Sequence, residues 1–96
     1  MYKVKIEYDF FDDLNNISEY IFRSTFSKTI TKNLSNEILK TLLVLNLFPL
    51  MYELKYKNFR CITIKSYSIF YIVNENKKEV YVYRIFGQSQ DFKEYI

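Results

Sequence analysis

Beyond Pro49 the strand-forming residues of this chain fall into three short runs, at residues 59–65, 67–74 and 79–86, each alternating at every second position. A period of two sends successive side chains to opposite faces, so this half is committed to β-strands rather than helices. Lys65-Ser66 and Asn76-Lys77 read as the tight turns of two consecutive hairpins. That register sets Arg60 opposite Tyr71 and Tyr71 opposite Val82, with Ile62, Ile69 and Arg84 in the next row. One face then carries Arg60, Ile62, Ile64, Tyr67, Ile69, Tyr71, Val73, Val80, Val82, Arg84 and Phe86. The other carries Cys61, Thr63, Lys65, Ser68, Phe70, Ile72, Tyr81, Tyr83 and Ile85, joined by Lys3 and Lys5 if the N-terminal strand adds to the same sheet.

The first half supplies that strand and the cover for the aliphatic face. Tyr2, Val4, Ile6 and Tyr8 alternate with Lys3, Lys5 and Glu7, which predicts a strand with one buried side. Asp9 or Asp12 then caps a helix in which Leu14, Ile17, Tyr20 and Ile21 recur at helical spacing to about Ser24. Ser27 caps a second helix whose stripe Ile30, Leu34, Ile38, Leu42 and Leu45 continues until Pro49 stops it. Leu39, Leu43 and Leu47 widen the stripe, so this helix is expected to pack on both its partner and the sheet. The predicted class is α+β in the order β-α-α-β-β-β. A helical hairpin lies on one face of a mostly antiparallel four-stranded sheet, in a single domain spanning residues 1–96.

A chain of 96 residues buries only about 60–65% of its unfolded surface, and here ten tyrosines and nine phenylalanines compensate with bulk. Four basic residues and no acid lie between Lys55 and Tyr71, a bias that suits an anionic partner or, equally, a solvated sheet edge kept from pairing with other chains. One cysteine and no histidine exclude an internal disulfide and the usual zinc sites, and no metal or cofactor is implied. Cys61, inside a strand, reads as a small buried hydrophobe, since no histidine is present to activate its thiol. The alternating N-terminus is not a signal peptide, and the apolar run near residues 41–52 is too short to span a bilayer, so a cytoplasmic protein without membrane contact is expected.

The arginines of the aliphatic face need counter-charges, because an unpaired buried charge is very costly. Structural ion pairing is therefore expected for Arg60 and Arg84, with Asp12, Asp13 or Glu19 of the first helix as partners. The opposite face has no predicted third layer. Ser68, Phe70, Tyr81, Tyr83 and Ile85 would form an exposed patch of the kind that marks a protein interface, for a partner chain or a second copy.

With this order, the chain resembles the RelE/ParE superfamily of toxins from bacterial type II toxin-antitoxin modules. The carriers are Asp13-Leu14, Tyr20-Ile21, Phe48-Pro49, Phe59-Arg60, the Tyr67-Ser-Ile-Phe-Tyr71 strand, and Arg84-Ile85 followed by Asp91. The resemblance implies a small cytoplasmic protein that inhibits growth unless its cognate antitoxin binds it. A homodimer and a toxin-antitoxin hetero-oligomer both fit, since antitoxins of such modules typically wrap a disordered segment around the toxin.

Members divide between poisons of DNA gyrase and ribosome-dependent mRNA endonucleases. The ribonuclease needs a base, a cation for the developing oxyanion and an acid for the leaving oxygen. Carried over by resemblance, Lys55 or Lys57 matches the family's lysines and Tyr95 its C-terminal tyrosine, with Lys65 as a substitute phosphate-binding charge. The two catalytic arginine positions fall on Ser68 and Ser89, and Gln88-Ser89-Gln90 replaces the basic pair common before Asp91. These departures favour a gyrase-binding toxin. An mRNA endonuclease acting on the ribosome is the alternative, and a non-toxic relative serving as a peptide-binding module is the third reading.

Overall fold

The computed structural model describes residues 1–88 and 90–96, so Ser89 lies outside the described residues. The elements run β1 (Lys3–Ile6), α1 (Tyr8–Thr25), α2 (Lys28–Val44), β2 (Leu54–Tyr56), β3 (Phe59–Ile64), β4 (Tyr67–Asn74) and β5 (Glu79–Gly87), then a 3₁₀ turn (Phe92–Glu94). The sheet order is β1-β5-β4-β3-β2, with β1 parallel to β5 and the other pairs antiparallel. The sheet thus has five strands, not four. The extra one, β2, is three residues long and bulged against β3, too short to show a period, and it serves as a blunted edge. No helix of the described residues is long and apolar enough to cross a membrane.

α1 begins at Tyr8, earlier than the aspartate caps predict, because Glu7 takes the N-cap position with its own N–H bonded to the Val82 carbonyl (2.9 Å). The end of β1 therefore passes directly into the helix, and Asp9 falls in the first turn, where its charge suits the dipole. Ser27 does cap α2, its Oγ accepting from the Ile30 N–H at 3.1 Å. α2 stops at Val44, before Pro49, and unwinds through tight turns at Leu45 and Asn46. Its buried stripe is Leu34, Ile38, Leu42 and Leu45, whereas Leu39, Leu43 and Leu47 remain exposed.

The main core joins that stripe and Phe10 and Leu14 of α1 to Ile62, Ile64, Ile69, Tyr71, Val80, Val82 and Ile85 of the sheet. The first hairpin has the expected register, with Arg60 opposite Tyr71 and a two-residue turn in which Lys65 takes a φ of 54°. The second starts in register, Tyr71 opposite Val82, but then a bulge leaves Tyr83 unpaired and sets Phe70 opposite Arg84. Past the bulge every side chain changes face. Ile85 turns inward opposite Ile69, while Arg84 and Phe86 move to the second face, the reverse of the simple alternation.

Tyr71 links this core to the segment after α2, its buried hydroxyl donating to the Pro49 carbonyl at 2.8 Å. Burial pushes the phenol up to about 12 from its usual 10. The folded state therefore holds this proton more tightly than the unfolded chain. The contribution is fully present below pH 10, and it is lost as the pH rises through 12, by on the order of 2 kcal/mol. In urea titrations at pH 7 and pH 11, Tyr71→Phe is expected to be less stable than wild type at pH 7. It should also lack that part of the alkaline loss. An identical alkaline loss in both proteins would show that Tyr71 does not titrate in this way.

Candidate functional site

The second face of the sheet is not open. Residues 90–96 fold back across it, guided by the Asp91 carboxylate, which accepts from the Lys93 N–H (3.1 Å), and by Gln90, whose Oε1 accepts from the Gly87 N–H (2.9 Å). Phe92 and Ile96 pack on a second cluster of Phe59, Phe70 and Phe86. Phe70 lies at its centre, 1% exposed, with ring centroids 4.7 Å from Phe92, 5.8 Å from Phe86 and 6.5 Å from Phe59. Two residues of the predicted exposed patch are thus buried: Phe70 under the tail, and Ile85 in the main core, where the bulge puts it. Ser68, Tyr81 and Tyr83 stay half-buried on the second face, with Tyr83 edge-on to Phe59 at 5.4 Å.

Beside this cluster lies a polar constellation built on Asp13 and Arg84. β1 ends at Ile6, so the outer edge of β5 past the bulge has no neighbouring strand, and α1 delivers Asp13 there instead. Asp13 accepts from Arg84 Nε at 2.6 Å and Nη2 at 2.8 Å, and from the Ile85 N–H at 3.1 Å. This bidentate geometry is the strongest form of the pair, and Asp13 raises the guanidinium's already high pKa. The guanidinium also lies over the rings of Phe86 (4.9 Å) and Tyr95 (5.3 Å).

Among the described residues Arg60 finds no carboxylate. Its Nη1 donates to the Tyr52 carbonyl at 2.7 Å, on the chain crossing from α2 to β2. Glu19 pairs with Arg23 one turn away on the exposed side of α1, so it does not reach either strand arginine.

The lysines and tyrosine carried over from the ribonuclease branch engage different parts of the surface. Lys65 leans toward Glu37 of α2 at 3.7 Å. Lys57 sits 5.1 Å from the Tyr56 ring, which Lys93 shares at 5.6 Å, while Tyr95 stacks on Phe86. Lys55 lies near Cys61, but burial outweighs its charge and pushes the thiol up, away from the nucleophilic thiolate. At the other end of the face Lys5 pairs with Glu79, which also accepts from the Tyr81 hydroxyl at 2.6 Å.

A cleft of about 540 Å³ opens between α1 and the ends of β4 and β5, lined in part by Asp13, Asn16, Tyr20, Tyr67 and Gln90. Its single charge is already neutralised by Arg84, so it suits a polar or amphipathic peptide segment better than a phosphate. Sequence reasoning missed the second cluster, although Phe92, Tyr95 and Ile96 follow a helical i, i+3, i+4 spacing that signals a packed tail. It also placed Arg84 on the wrong face, and the sequence carries no signal of the bulge.

Known proteins share this architecture. The chain is similar in fold to a chain of the chromosomal ParDE toxin-antitoxin system from P. aeruginosa, with a TM-score of 0.75 and 16% identity over 91% of this chain and 96% of that one. It is also similar to a chain of the intact RelBE complex of E. coli, with a TM-score of 0.57 and 14% identity over 95% of this chain and 100% of that one. A RelBE complex from Mycobacterium tuberculosis gives a TM-score of 0.59 and 12% identity over 90% and 96% of the two chains. No curated protein matches it by sequence. The fold is therefore that of the small toxins of type II toxin-antitoxin modules. The family model described as "ParE toxin of type II toxin-antitoxin system, parDE" matches residues 4–92, and the chain belongs to that family.

Proposed function

We propose that this toxin arrests growth in the cytoplasm unless a cognate antitoxin holds it, and that it acts by binding DNA gyrase rather than by cutting RNA. One observation carries the choice of mechanism. Arg84, the arginine of the second face, has its guanidinium committed in bidentate fashion to Asp13 and held against the rings of Phe86 and Tyr95. A cation so neutralised is poorly placed to stabilise a developing phosphate oxyanion. The scattered Lys55, Lys57, Lys65 and Tyr95 do not replace it with a converging acid, base and cation. The higher TM-score against the ParDE chain than against the RelBE chains supports the same reading. The antitoxin is proposed because the related folds occur in toxin-antitoxin complexes.

The expected result is that the purified toxin inhibits gyrase supercoiling at micromolar concentration while an in vitro translation extract keeps working. Codon-specific mRNA cuts in the ribosomal A site, abolished by Tyr95→Phe with Lys65→Ala, would instead establish the endonuclease. Absence of growth arrest on induction would leave only the non-toxic peptide-binding module.

A further inference from the structure

We infer that the tip of the helical hairpin docks on the toxin's target: Phe26, flanked by Phe22 and Ile30, enters an apolar pocket rimmed by carboxylates on a folded protein. This rests on the target-binding reading above and names the surface that does the binding.

Three features of the tip run against local stability. Phe26 ends α1 in the left-handed conformation, φ 53° and ψ 26°, with its N–H bonded to the Phe22 carbonyl at 2.7 Å. That position normally takes glycine or asparagine, and a bulky residue there is strained. The other described non-glycine residues with positive φ are Lys57, Lys65 and Lys78, all exposed lysines. Only at the hairpin tip is the strained residue a bare aromatic ring, and it is 82% exposed. Phe22 and Ile30, on either side of the turn, are 38% and 52% exposed. Lys28 then opens α2 at the positive end of its dipole, in a first turn without an acid. Lys28 and Lys32 make no ion pair among the described residues.

Broken local rules gathered at one exposed place are expected of functional surface. The chemistry defines the partner. A projecting ring needs a preformed concave pocket, as buried aromatic anchors do in protein interfaces, and two free lysines call for carboxylates at its rim. An antitoxin segment that folds on binding needs the opposite shape, a groove such as the α1 cleft.

The test uses Phe26→Gly and Phe26→Asn, which relieve the backbone while removing the ring. Both are expected to match or exceed the wild-type Tm, by up to a few degrees, and to lose at least tenfold in growth arrest on induction and in supercoiling inhibition. Lys28→Glu with Lys32→Glu, on exposed positions, is expected to lose activity in the same way, and it decides the matter if the Phe26 variants fail to fold. Folded variants that kill as wild type does would overturn the proposal. So would a wild-type dimer that Phe26→Gly splits with killing intact, which would make the tip a self-contact. If wild type arrests growth without touching supercoiling, gyrase is the wrong target. The tip is then judged on growth arrest alone, and a loss there still supports it.

Discussion

Asp13→Ala is expected to destabilise the protein by about 3 kcal/mol, because it strips a partly buried arginine of its counter-ion and leaves the Ile85 N–H without an acceptor. The side chains of Arg84 and Asp13 are 20% and 13% exposed, too enclosed for water to replace the lost bonds fully. For a chain of this length the change lowers the Tm by roughly 12–20 °C. Asp13→Asn, which can still accept from the Ile85 N–H, should lose about half as much. Thermal and urea unfolding of both variants, closed into a cycle with Arg84→Met, should return a coupling energy above about 1.5 kcal/mol. A loss under 0.5 kcal/mol for Asp13→Ala would mean that the pair is a solvated surface contact.

Phe70→Ala is expected to cost about 3–5 kcal/mol, since it removes the ring on which Phe59, Phe86 and Phe92 all pack. That is a large fraction of the 5–15 kcal/mol typical of a whole domain. The variant should also release the tail, seen as faster amide exchange at residues 92–96 than in wild type. Phe92→Ala, which uncovers the same ring from above, should raise tail exchange at a smaller cost in stability. If Phe70 stood on an open surface, its truncation would change stability by no more than about 0.5 kcal/mol, and urea unfolding separates the two outcomes.

Arg84 and Phe70 mark the boundary between what can be read from this sequence and what cannot. Strands β1, β3, β4 and β5, the hairpin pairing of β3 with β4, the Ser27 cap and the Leu34–Ile38–Leu42 stripe follow from contacts a few residues apart. Periodicity and cap chemistry report those directly. The family resemblance was legible for the same reason, being carried by the order and spacing of these elements. The exposed tip at Phe26 was not, because a left-handed phenylalanine leaves no pattern in its neighbours.

The sequence by itself determined the β-α-α-β framework, the two-faced sheet and which half of the chain would build it, since alternating and helical periods leave no other way to bury these side chains. Tertiary structure alone decided what each face does. From Tyr81 to Phe86 there are large apolar groups at both parities, so either register buries an adequate set and local energetics do not choose. The observed register goes with Asp13, 71 residues before Arg84, which meets the unpaired edge of β5 and there accepts from both the Arg84 guanidinium and the Ile85 N–H. The same holds for the tail. Its aromatic residues acquire a surface to cover only after the strands have formed, and covering it turns an apparent interface into a second core.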